Sequence, residues 1–292
     1  MTSPAFSLSH ADALVCFPEQ CVDTARGTIG YRKAGGRHLH TMPIVMLHGI
    51  GSGAASWVRQ METLRDAHQV LAWDAPGYGK STHVEPASPV ASDYADALGD
   101  WLDALGIERC VLVGHSLGAI MAGSFASRQA ARVAGLLLLS PAGGYGAAPA
   151  QVREEKRDAR LAMLAELGPQ GLAEKRSANM VSADAGEDAR EWVRWNMARI
   201  NPAGYAQATH LLANADLASD LTHFKGRVAV AVGAEDAITP PAACEQIARA
   251  ANVSLQVIPG AGHAGYIEAP LRYSALIEAF SAQCEQCKGV MQ

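Results

Sequence analysis

Six short apolar runs, each stopped by small or turn-forming residues, set the strongest limit on what this chain can fold into. Ile44-Val45-Met46-Leu47 ends at His48-Gly49, and Val70-Leu71-Ala72-Trp73 ends at Asp74-Ala75-Pro76-Gly77. Cys110-Val111-Leu112-Val113 ends at Gly114, and residues 133–139 end at Ser140-Pro141. Residues 228–232 stop at Gly233, and residues 255–258 stop at Pro259-Gly260. Runs that are apolar throughout suit strands buried on both faces of a parallel sheet. Segments of helical length at 56–67, 93–105 and 117–129 follow the first three runs, with 240–251 after the fifth and 271–286 after the sixth. The alternation predicts an α/β fold, a mostly parallel sheet flanked by helices. Residues 14–22 and 28–34 read as two leading strands in an antiparallel hairpin.

The rhythm breaks between residues 143 and 220, a stretch rich in Ala, Arg, Glu and Met. Helical segments are predicted near 151–167, 171–181, 188–200 and 202–212, with 220–226 leading back to the sheet. The expectation is a helical cap over 143–220, inserted into a core made of residues 1–142 and 221–292.

Several classes of function are disfavoured. Twenty-nine Asp and Glu against 24 Lys and Arg give a net charge of −5, the reverse of the basic surplus usual in a nucleic-acid binder. No window of 18 apolar residues suggests a membrane span. The first residues lack the basic segment and apolar run of a secretory signal. Six cysteines in 292 residues do not resemble a secreted disulfide framework. The expectation is a soluble, reduced, cytoplasmic protein. Cys284 and Cys287 have C-x-x-C spacing, but without a second ligand pair they do not read as a zinc or redox site.

Gly114-His115-Ser116-Leu117-Gly118 carries the sharpest chemical signal. It follows an apolar run and precedes small and apolar residues suited to a packed helix. Glycines two residues either side of a serine leave room for a strained strand-to-helix turn that lifts the hydroxyl above the sheet edge. The new helix points its first amides at the same place, where negative charge can be held. A neutral serine hydroxyl needs a base, and the base an orienting anion. Asp236 lies just past the fifth run and His263 just past the sixth. Parallel strands bring such ends to one edge. Glu235 is a second carboxylate at the same turn, and an Asp there also suits a helix cap.

In these features the chain resembles the α/β-hydrolase-fold serine hydrolases, over nearly its whole length. The resemblance rests on His48-Gly49, on residues 74–81, on the serine turn, on the Asp236 loop and on Gly262-His263. It implies a Ser116, Asp236, His263 triad and an oxyanion hole formed by the backbone amides of Ile50 and Leu117. Some members carry the acid after the preceding strand, but Ser140-Pro141 offers none. The implied reaction is acyl transfer through Ser116, with His263 as base and then acid, and with no cofactor or metal.

The loop at 48–57 is similar to that of enol-lactone hydrolases and of carbon–carbon bond hydrolases. The latter usually place Asn before the serine and Trp after the histidine, where this chain has His115 and Ala264. Segment 262–270 is closer to the enol-lactonase and esterase pattern. The expected substrate is therefore a small carboxylic ester or lactone. Carbon–carbon hydrolysis, cofactor-free perhydrolysis and a ligand receptor on the same scaffold are the alternatives. Trp57, Tyr145 and Trp192 are candidate substrate contacts, with Trp195 and Tyr205 beside them; Trp192 and Trp195 equally suit pinning the cap to the core. Arg176, Arg190, Arg194 and Arg199 are candidate anchors for an acidic lactone, or a solvated helix face. His48 is read as shaping the oxyanion loop, His115 as structural or pocket-lining, and Asp74 as a turn residue.

Overall fold

The computed structural model describes residues 8–36 and 41–286, and among these eight strands form one sheet. They are β1 (Gln20–Thr24), β2 (Gly27–Ala34), β3 (Ile44–Leu47), β4 (Val70–Trp73), β5 (Cys110–His115), β6 (Val133–Leu139), β7 (Val228–Gly233) and β8 (Leu255–Ile258). Their spatial order is β1-β2-β4-β3-β5-β6-β7-β8. The β1–β2 hairpin adds antiparallel to β4, and every pair from β4 to β8 is parallel. All six apolar runs of the sequence are the parallel strands.

The reason lies in two-sided burial. Every residue of β3, β4, β5 and β6 is buried, and successive side chains point to opposite faces. Val45, Leu47, Leu112, Leu136 and Leu138 join one apolar layer, whereas Ile44, Met46, Val113, Leu137 and Leu139 join the other. Helices cover both faces. The second layer is closed by α1 (His10–Cys16), α2 (Val58–Leu64) and α11 (Pro270–Gln286), the first by α3 (Ala91–Ala104), α4 (Leu117–Arg128) and α9 (Pro241–Ala250). Strand β8 lies at the sheet edge, and Val257 on it is exposed.

Between β6 and β7 the chain leaves the sheet. It forms α5 (Ala150–Arg176), α6 (Glu187–Met197), α7 (Pro202–Asn214) and α8 (Leu217–His223), and α10 (Gly265–Glu268) follows β8. Helix α5 is bent at Gly168, whose φ of 60° and ψ of −178° are not helical, and Pro169 follows it. Proline has no N–H for the helical ladder and glycine alone tolerates that backbone, so the bend is written into the pair.

Four expectations need correction. The first leading strand begins at Gln20, because Ser9 caps a helix over residues 10–16 by accepting from the Asp12 amide. Residues 54–57 form a 3-10 turn before α2, so the predicted helix at 56–67 is shorter. The segment predicted at 171–181 ends its α-helix at Arg176. The return near 220 is a helix, α8, capped by Asp216, with Leu217 and Leu221 packed into the first layer. Cys287 lies outside the described residues.

Leu138 is fully buried in that layer. Leu138→Ala is expected to lower unfolding free energy by roughly 2–5 kcal/mol in urea titration. Val257→Thr at the exposed edge should change it by less than about 0.5 kcal/mol.

Candidate active site

The carboxyl ends of β3, β5, β6, β7 and β8 meet at one edge of the sheet, and the candidate residues follow them. Ser116 has φ 52° and ψ −116°, a left-handed backbone that costs a non-glycine residue on the order of 1–3 kcal/mol. Neighbouring backbone holds it there. Its amide donates to the Leu139 carbonyl at 3.1 Å, and its carbonyl accepts from Ala119 at 3.0 Å and Ala142 at 3.2 Å. A Cβ at Gly114 would lie 2.6 Å from the Gly118 carbonyl oxygen, and one at Gly118 would collide with the Leu47 carbonyl. These close approaches are why both flanking positions are glycine.

The loop after β3 packs over this turn. A Cβ at Gly49 would come within 3.1 Å of the Ser116 Cβ. Tyr78 donates its hydroxyl to the Ile50 carbonyl at 2.8 Å. The Ala75 amide donates to His48 Nε2 at 3.0 Å, so Nδ1 carries the proton and donates to the Gly49 carbonyl at 2.8 Å. Burial pushes His48 down to about 4, only partly opposed by its bond to Gly49. A neutral His48 thus ties the β3 loop to the turn after β4. Leu117 heads α4, so its amide has no intrahelical acceptor. Ile50 and Leu117 both line the cavity that Ser116 faces.

Asp236 and His263 meet at the adjacent strand ends. His263 Nδ1 lies 2.9 Å from Asp236 Oδ2 and 3.1 Å from Oδ1, with both side chains buried. Asp236 Oδ1 also accepts from the amides of Ile238 and Thr239, each at 2.9 Å. Burial pushes this carboxyl up, but the His263 contact and those amides outweigh it and hold the group down near 2. An ionised Asp236 makes Nδ1 the donor and leaves Nε2 as the basic nitrogen. Glu235, the rival carboxylate, is exposed.

Thr239 is a residue that sequence reasoning missed. Its hydroxyl donates to Asp236 Oδ2 at 2.9 Å, is 3.0 Å from the Ser140 carbonyl and lies 3.1 Å from His263 Nδ1. It braces the pair from the side. The Asp-x-x-Thr spacing was the available signal, since such residues bond back onto their own turn. Glu268 braces the other end. Its carboxylate accepts from the Gly262 amide at 2.9 Å, from the Ser182 amide at 3.0 Å and from the Ser182 hydroxyl.

His115 lines the cavity beside Ser116, and its ring packs against His263 and Tyr266. Nε2 faces the His263 carbonyl at 2.9 Å and must donate to it. Burial, then the charge of His263, pushes His115 down to about 3. Asp74 accepts from the Ala54 amide at 2.8 Å and is pushed up to about 6 by burial, against that bond.

The cavity has a volume of about 330 Å³ and is mostly apolar, with Tyr145, Tyr205 and Tyr266 among its walls. Two aromatic expectations are corrected. Trp57 is fully buried and stacked on Tyr266 at 4.1 Å, so its ring is core. Trp192 is held between His10 at 4.2 Å and Trp195 at 4.6 Å, away from the cavity lining. Of the candidate arginines only Arg176 lines the cavity, joined by Arg160, which the sequence reading passed over. Arg190 donates to backbone carbonyls at 182, 183 and 185, Arg194 faces Glu191, and Arg199 sits over the Trp195 ring. Among the described residues no three His, Cys, Asp or Glu side chains gather as a metal site, and no helix is long and apolar enough to cross a membrane.

Known proteins share this architecture. Residues 44–276 match the alpha/beta hydrolase family, and the chain belongs to it. A malate-bound thermophilic esterase from Thermogutta terrifontis superposes with a TM-score of 0.80 at 26% identity, covering 91% of this chain and 98% of that one. The enol-lactonase from Burkholderia xenovorans gives 0.78 at 22% identity, covering 89% and 99%, a likeness of fold. Abhydrolase domain-containing protein abhd-5.2 of Caenorhabditis elegans is 36% identical over 104 residues, which is 35% of this chain and 23% of that protein. The matched part spans less than a third of the first such relatives' length.

The buried titratable groups set a pH signature. His48 and His115 fold with values near 4 and 3, below the ordinary 6.5, so the unfolded chain binds more protons. Their stabilisation is complete above pH 6.5 and is lost as pH falls through that range. Asp74, raised to about 6 from 3.8, acts oppositely and loses its contribution as pH rises from 3.8 to 6. Relative to wild type, His115→Asn should flatten the dependence of unfolding free energy between pH 4.5 and 6 by one proton, about 1.4 kcal/mol per pH unit. Urea unfolding across that range checks this.

Proposed function

We propose that this chain is a serine hydrolase that cleaves small carboxylic esters or lactones through an acyl-enzyme. The observation that carries the reading is the buried Asp236–His263 contact at the rim of the same apolar cavity that holds the strained Ser116. In this reading His263 Nε2 takes the Ser116 proton as Oγ attacks the carbonyl. Asp236 keeps the imidazole in the tautomer with its proton on Nδ1 and stabilises the imidazolium. The amides of Ile50 and Leu117 hold the oxyanion, a charge that neutral, preorganised donors stabilise without reorganisation. His263 then protonates the departing alcohol and activates the water that frees the acid.

The helices between β6 and β7 act as the cap. They bring Arg160, Leu172, Met197 and Tyr205 to the cavity of Ser116, with Tyr145 from the loop before α5, and so supply much of the wall that chooses substrate. Esterase and enol-lactonase neighbours of the same fold support an ester or lactone over a carbon–carbon bond. So do His115, whose Nε2 is engaged by the His263 carbonyl, and Ala264, at the two positions where carbon–carbon hydrolases differ.

Ser116→Ala should abolish turnover of short-chain 4-nitrophenyl esters with circular dichroism unchanged. A fluorophosphonate should leave one adduct, mapped to Ser116 by mass spectrometry. Near-parental activity in Ser116→Ala, or binding of esters with no turnover in the parent, would remove the mechanism. Asp236→Asn should lower kcat by roughly 10³–10⁴.

A further inference from the structure

The cavity wall is electrically lopsided. Arg160 and Arg176 both line it, and its other lining residues include no Asp or Glu. Neither guanidinium is in an ion pair among the described residues, whereas Arg26, Arg59, Arg132 and Arg249 each pair with an acid. Arg160 donates one N–H to the Tyr205 hydroxyl at 3.2 Å, and Arg176 approaches the Met163 sulfur at 4.0 Å. A guanidinium has five N–H donors, so several are left over on each. Both side chains are half-buried at the cavity wall, so their spare donors are met by water that an anion's oxygens can replace.

The bend in α5 makes the pair possible. In a straight helix positions 160 and 176 would lie about 24 Å apart along the axis. With the turn at Gly168-Pro169, the two arms of α5 each place an arginine on the one cavity of about 330 Å³. Each arginine thus reaches the cavity from a different arm.

We propose that Arg160 and Arg176 form an anion subsite, and that the preferred substrates carry a carboxylate remote from the scissile carbonyl. Hemi-esters of dicarboxylic acids and lactones bearing a free carboxylate are the class that fits. The carbonyl sits at Ser116 and the carboxylate beneath α5, held by charge-assisted N–H donors whose planar fork matches its two oxygens. This rests on the acyl-transfer reading above for its catalytic half, while the anion site stands on the arginines alone.

Two measurements test it. The first compares kcat/KM for mono-4-nitrophenyl glutarate with that for 4-nitrophenyl pentanoate, which replaces the carboxylate by a methyl group. The parent should prefer the hemi-ester by about tenfold or more, the size expected for a charged hydrogen bond. The double substitution Arg160→Gln, Arg176→Gln should bring the ratio close to one, whereas Arg194→Gln, on an exposed face opposite Glu191, should leave it unchanged. The second titrates glutarate calorimetrically into Ser116→Ala protein, which does not turn over. One glutarate should bind, and the two Arg→Gln changes should weaken it at least tenfold.

A parent that hydrolyses the neutral ester as well as the hemi-ester overturns the proposal. So does glutarate binding that survives the double substitution, or inorganic phosphate that binds where glutarate does not. If neither ester is turned over, the hydrolase reading fails by itself, and the calorimetry still decides whether the anion subsite exists.

Discussion

The whole edge depends on holding one serine in a backbone conformation it would not choose. Ser116 sits at φ 52° because three strand ends and a helix start close around it. The Leu139 carbonyl takes its amide, Ala119 and Ala142 share its carbonyl, and the β3 loop presses down through Gly49. Apart from the Ala119 bond, which is local, none of these contacts is available to an isolated turn. The sheet core supplies the rigidity, since β3, β5 and β6 are buried along their full length and cannot yield without opening both apolar layers. The strain is local and its support is global.

Polar groups at this edge are sorted by the same crowding. His48 and His115 are both neutral, each locked by one carbonyl, and neither is free to exchange roles with His263. Asp236 alone is driven strongly toward ionisation, because it collects two amides, a hydroxyl and an imidazole N–H. The two histidines His48 and His115 are thus kept neutral by burial, each with its proton committed to one carbonyl.

Much of this was legible in the sequence, for identifiable reasons. Strands buried on both faces have a continuous apolar signature, so the parallel sheet could be read run by run. Ser116, Asp236 and His263 each follow such a run, and parallel strands share an edge; their neighbourhood follows from order along the chain. What was not legible depends on direction. Trp57 and Trp192 are aromatic in the right region, but only packing tells that one ring faces Tyr266 and the other His10. Arg160 is one of many charged residues along 151–167, and nothing in their spacing tells that it reaches the cavity. Helix α1 is too short for periodicity to separate it from the strand that follows, and α8 is marked only by its Asp216 cap.

The carboxylate of Glu268 grips Gly262, one residue ahead of the imidazole, and Ser182, in the segment joining α5 to α6. A single side chain therefore pins the segment between α5 and α6 to the turn that carries His263. That segment cannot shift at this corner without breaking the Glu268 bonds or dragging the His263 turn along. The position of one cavity wall and the position of the imidazole are thus tied to the same carboxylate.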